Sequence, residues 1–174
     1  MTDTDTPGAV LREVVAEAVG TEESESGAID ADLVERGDEP GPVSRLAGLV
    51  AAGDTVVGVV PRADPALARR FISGRGETDR GDEETVRLVF TGRAADRLAG
   101  PSGTAVRSLL ADRGIEAYRH DGDSPIGVLL VDDRAVVGLF DEGGLAALLW
   151  SDAPAVREWA ATTCRRYLSA AEPV

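Results

Sequence analysis

Residues 126–150 read IGVLLV-DDR-AVVGLF-DEGG-LAALLW, three apolar runs of six separated by charged or glycine-rich turns. Such short runs, punctuated by Asp132-Asp133-Arg134 and by Gly143-Gly144, predict an antiparallel meander over Ile126–Val131, Ala135–Phe140 and Leu145–Trp150. A helix signal follows directly. Ser151 or Asp152 is placed to cap it, and Pro154 fits its first turn. Val156, Trp159, Ala160, Thr163, Tyr167 and Leu168 fall on one face, with Cys164 beside them.

Upstream of the meander the pattern changes to alternating helices and strands. Val43–Ala52 carries Val43, Leu46, Ala47 and Val50 on one side, and Asp54–Val60 is a β-branched run typical of a buried strand. Pro65–Phe71 reads as a short helix and Gly74–Glu84 as a charged glycine-rich loop. Val86–Thr91 reads as a second strand, followed by helices over Ala94–Leu98 and Pro101–Arg113. Gly114 is the stop of the latter, and Ile115–Arg119 is a third strand. These units predict a single α/β domain over 41–174, with a mixed sheet, a C-terminal antiparallel meander and a C-terminal helix. Residues 1–40 are expected to be an acidic arm with one helix, Pro7–Val19, ended by Gly20 and followed by the polar linker 21–27. The helix stripe of Val10, Leu11, Val14, Val15 and Ala18 must bury itself somewhere. A dimer or partner surface and the chain's own domain are equally good candidates.

The 174 residues carry 31 acidic and 18 basic side chains, a net charge of −13, and every basic residue is an arginine. Lys, Asn and Gln are absent. Residues 1–40 hold twelve acidic residues against two arginines, and the remainder nineteen against sixteen. This composition points to a salt-adapted cytoplasm, and no basic stripe supports direct nucleic-acid binding. No apolar run approaches the about 18–20 residues that span a bilayer, and the polar amino terminus is no signal peptide. One cysteine excludes an internal disulfide, and one histidine, His120, excludes a two-His metal site within one chain.

The succession of strand, Val131-Asp132-Asp133 turn, strand, Leu149-Trp150-Ser151-Asp152 and a helix with Glu158-Trp159-Ala160 and Arg165-Arg166-Tyr167 resembles a known family. It is similar to the effector domain of archaeal winged-helix transcription regulators. The nearest type is the middle or C-terminal domain of the methanogen filament-formation regulator, with the TrmB regulators more distant. That domain in turn resembles the phospholipase-D fold and its His-x-Lys-x4-Asp signature. With Asp132 as the acid, Pro125 stands at the histidine position and Gly127 at the lysine position. The nucleophile is therefore missing, and the resemblance implies a scaffold without catalytic groups, Asp132 remaining as a turn residue. A winged helix needs more than the single helix of residues 1–40, so the resemblance implies a module without its own DNA-binding element.

The expected function is thus a non-enzymatic effector-sensing or dimerisation module. Its partners would be a second copy, a complete winged-helix regulator or a small effector, with no cofactor, metal or membrane. A direct DNA-binding regulator and a residual phosphodiesterase are the alternatives. Strand ends and helix starts suggest a ligand pocket near Arg93, Arg119, His120 and Trp150. The run Gly100-Pro101-Ser102-Gly103-Thr104 precedes a helix but lacks the Gly-Lys-Ser/Thr of a P-loop, so it reads as a cap. No Gly-x-Ser-x-Gly elbow presents a nucleophile to His120.

Overall fold

A computed structural model describes residues 6–20, 31–62, 85–101, 103–112, 114–124 and 126–174. In chain order the elements are α1 (Pro7–Val19), β1 (Asp32–Glu35), α2 (Pro42–Ala52), β2 (Thr55–Val60), β3 (Thr85–Phe90), α3 (Gly92–Ala99) and α4 (Gly103–Asp112). They continue with β4 (Ile115–Arg119), β5 (Ile126–Val131), β6 (Arg134–Asp141), β7 (Gly144–Ser151), α5 (Pro154–Ala170) and β8 (Glu172–Pro173). The strands form one mixed sheet in the order β1-β7-β6-β5-β2-β3-β4-β8. Within it β2, β3 and β4 are parallel, and all other neighbours are antiparallel. The predicted α/β class, meander and final helix are therefore present. The helix expected over Pro65–Phe71 and the loop over Gly74–Glu84 lie outside the described residues.

Period-two alternation divides the sheet's side chains between two cores. On one face Val56, Val86, Leu88, Phe90, Leu129, Val131, Val136 and Leu148 pack with Leu46 and Val50 of α2 and Ala94 and Leu98 of α3. On the other, Ile126, Val128, Ala135, Val137, Ala147 and Leu149 meet Leu11 and Val15 of α1 and Val156, Ala160 and Cys164 of α5. The fold is a sheet between two helical layers.

Two short strands were not expected. β1 pairs antiparallel with β7 through Asp32–Glu35, and β8 pairs with Tyr118 and Arg119 at the far margin. The stripe of α1 is also placed: Leu11 and Val15 are fully buried against the chain's own sheet, whereas Val10 is 37% exposed. α1 is capped as its sequence allows, with Thr6 Oγ1 accepting from Ala9 N at 3.2 Å and Gly20 at φ 81° closing the last turn. α5 begins differently from expectation. Its N-cap is Ala153, whose N–H donates to Ser151 Oγ at 3.1 Å, while Asp152 is drawn away to Arg134 at 2.9 Å.

Candidate functional site

The three parallel strands end on one edge of the sheet, here the carboxyl edge. β5 lies on the opposite side of β2 from β3 and starts on the same edge. Such a reversal of strand order leaves a place where ligands of open α/β sheets bind. The connection from β4 to β5 must cross the ends of β3 and β2 to reach it. Residues His120–Ser124 do so as a strap fastened at several points. His120 N donates to Phe90 O at 3.0 Å, and Gly92 N donates to Gly122 O at 3.1 Å. Ser124 is buried and its hydroxyl donates to Ile126 O at 2.6 Å. Asp123 lies against Gly92, which adopts φ 53°, and a Cβ there would stand 2.5 Å from Asp123 Oδ1. Only glycine suits both the dihedral and the approach.

Arg93, in the first turn of α3, and Arg119, at the end of β4, are exposed on this edge. His120 is half-buried: its Nδ1 accepts from Gly122 N at 2.8 Å, and its ring faces Tyr167 of α5 at 4.9 Å between centroids. Further along the same edge Arg36 grips Asp141 with both nitrogens, at 2.8 and 3.0 Å. The Arg36 guanidinium holds the Asp141 carboxyl below the usual carboxylate range, and Arg62 donates to the Asp141 carbonyl at 3.0 Å. Sequence reasoning passed over Arg36, Arg62 and the strap's Asp123, since only the strand order brings them here.

Trp150 is not part of this cluster. β7 runs antiparallel to β6 and ends on the opposite edge, where Trp150 pairs in register with Val136 and Asp32. Arg45 of α2 covers its ring at 5.3 Å and also lines a shallow groove of about 290 Å³ with Pro40, Ser44, Gly48, Leu49 and Ala52. The four expected residues thus form a group of three and, across the sheet, a separate aromatic. Among the described residues, no group of three or more His, Cys, Asp or Glu side chains could hold a metal ion, and no helix is long and apolar enough to cross a membrane. Cys164 is a core residue whose thiol burial pushes up to about 12.

A family model for the middle domain of the methanogenesis regulatory protein FilR1 matches residues 40–170. The chain belongs to the FilR1 middle-domain family. That family is the middle domain of a regulatory protein, and the match covers most of this chain. No curated protein sequence matches it. Among solved structures the fold is similar to TrmBL2, an archaeal chromatin protein described with a novel mode of DNA binding (TM-score 0.56, 12% identity, 95% of this chain). The chain spans 61% of the TrmBL2 chain's length. It is also similar to Nuc of Salmonella typhimurium, a phospholipase D family member (TM-score 0.61, 12% identity, 83% of this chain and 97% of that one). NucT from Helicobacter pylori gives TM-score 0.63 at 12% identity, over 83% and 99% of the two chains.

The FilR1-type domain departs from the phospholipase-D signature physically as well as by residue type. Pro125 lies outside the described residues. Gly127 sits within β5, and a Cβ added there would meet Phe140 at 3.0 Å and the Val59 carbonyl at 3.4 Å. The space a lysine stem needs is already filled. Asp132 is at the far end of β5, at φ 51°, accepting from Thr55 N at 2.9 Å and Asp54 N at 3.2 Å. Its carboxylate organises a turn on the edge opposite the strap.

Proposed function

We propose that this chain is an effector-sensing or dimerisation module of an archaeal-type transcription regulator, working in a salt-rich cytoplasm. The match to a regulatory middle domain over residues 40–170 carries this reading. The carboxyl edge supplies a chemically reasonable reception point. Arg93 and Arg119 offer cationic donors beside His120, at the place where strand order reverses. A small anionic effector is the class these groups suit, with Trp150 and Arg45 as a second contact surface on the other edge. Binding would act by population shift, favouring one arrangement of the module with a second copy or with a complete winged-helix regulator. Direct duplex binding is not expected of a chain with net charge −13.

Solution mass by light scattering, at low and at molar salt, tests the association part of this reading. A stable dimer, or a complex with a winged-helix regulator captured under the same conditions, is the expected result. A strict monomer that binds no regulator would defeat it. Electrophoretic mobility shifts at several salt concentrations test the other side. Sequence-specific retardation of duplex by this chain alone would replace the module with a direct DNA-binding regulator.

A further inference from the structure

One of the bonds that fasten the strap across the carboxyl edge is made by the single imidazole of the chain, and that bond has a proton requirement. His120 Nδ1 accepts from the Gly122 N–H at 2.8 Å, so the nitrogen must be unprotonated and the ring proton must sit on Nε2. The fit is tight. A Cβ on Gly122 would lie 2.8 Å from His120 Cε1 and 2.9 Å from Nδ1, so the ring folds directly over the strap backbone. Gly122 in turn presents its carbonyl to Gly92 N, at the entrance to α3. One imidazole nitrogen, one glycine and one carbonyl thus connect the end of β4 to the start of α3.

We propose that His120 is a protonation-sensitive latch: neutral, it closes the His120–Ser124 strap over the ends of β3 and β2, and protonated at Nδ1 it releases Gly122 and with it the bond to Gly92. Protonation turns Nδ1 from acceptor to donor, and it then faces another N–H. On another side of the ring stands Tyr167 of α5, 4.9 Å away between centroids, with the Arg166 guanidinium 5.4 Å from that phenol ring. The charged groups on the elements around the imidazole are Arg119, Asp121 and Asp123 on its own segment, Arg93 at the start of α3, Glu172 of β8, paired in register with Arg119, and Arg166 beside Tyr167. They include both signs, and the Nδ1 side is filled by Gly122. Histidine is the one side chain whose ordinary titration falls between about pH 5 and 8. The device does not depend on the effector reading, and the chain without ligand suffices to test it.

Amide exchange by NMR on the full chain, across about pH 5 to 8 and normalised at each pH to the unstructured rate, reads the latch directly. Protection of the Gly122 and Gly92 amides should fall about five- to tenfold on acidification, in step with titration of the His120 ring. His120→Asn keeps an acceptor near the Nδ1 position without titrating, and its two glycine amides should hold their protection throughout. Equal protection at both ends in the parent chain overturns the proposal, as does an unchanged acid-induced loss in H120N. The ¹⁵N shifts of the parent His120 ring provide a check that needs no variant. An Nδ1–H tautomer in the neutral form would also overturn it.

Discussion

Asp132 shows what one residue can hold. A non-glycine residue at φ 51° is tolerated best when it is Asn or Asp, whose side chain can bond locally. Here the carboxylate reaches across to the N–H groups of Asp54 and Thr55 and fixes the entry to β2 against the end of β5. Asp132→Asn should leave stability almost unchanged. Asp132→Ala loses the acceptor and keeps the dihedral cost, which predicts a loss of about 1–2 kcal/mol in urea denaturation. Asp132→Gly should fall between them, and an alanine variant as stable as the asparagine one would show that the turn does not need the acceptor. The aspartate was legible in sequence as a turn residue, but its partners 77 and 78 positions away were not. Cys164 offers a second test at this scale, with a pH sign. Its thiol is buried between the carbonyls of Val57 and Val128, and burial raises it from 9.0 to about 12. A raised value means the folded state favours the neutral thiol. The resulting stabilisation is complete below pH 9.0 and is lost as pH rises from there to about 12. The stability of the parent chain relative to Cys164→Ala should therefore decline between pH 9 and pH 11, and a constant difference would refute the assignment.

Elements were legible where the local pattern was long enough to decide them. The runs over 126–150 state both strand and turn, and α5 has seventeen residues in which to show its period. β1 is four residues, Asp-Leu-Val-Glu, inside an acidic stretch, and only its pairing with β7 makes it a strand. β8 is two residues long and could not be read at all. Direction was the more consequential gap. Arg119 and Trp150 were both recognised near strand ends, but β4 and β7 point opposite ways, so the two ends lie on opposite edges. α4 shows the reverse problem. Val106 and Leu109 are apolar residues of this helix, yet they are 46% and 38% exposed, because a helix at the sheet margin has only one side to cover. For α1 the structure chooses between two destinations that sequence left equal. Leu11 and Val15 seal the face of Ala147 and Leu149, so this helix is part of the domain's own core. Leu11→Ala should cost about 2–5 kcal/mol through the cavity it leaves. Val10→Ala, on the exposed side, should stay within about 0.5 kcal/mol. If the Leu11 loss instead varied with protein concentration, the helix would be packing against another chain in solution.

At the scale of the whole molecule, charge and core pull in opposite directions. The net charge of −13 repels itself, and the amino-terminal forty residues, with twelve acids against two arginines, contribute most of the imbalance. α1 and β1 lie in that acidic stretch, yet both must dock on the sheet for the second core to close. Added salt has two effects of opposite sign. It screens this repulsion, the Debye length shrinking from about 10 Å at 0.1 M to about 3 Å at 1 M. It also weakens the ion pairs Arg36–Asp141, Arg87–Glu116 and Arg134–Asp152. Their side chains are between 44% and 70% exposed, and pairs of that kind contribute at most about 1 kcal/mol each. Repulsion spread over the chain therefore outweighs them. The thermal midpoint should rise by several degrees between 0.1 and 1 M NaCl. The rise should be smaller when Glu13, Glu17 and Asp32 are replaced by Gln, Gln and Asn, since these acids lie on the two elements that salt helps to dock. A midpoint that falls with salt would mean that the paired arginines, not the unbalanced acids, govern the stability of this domain.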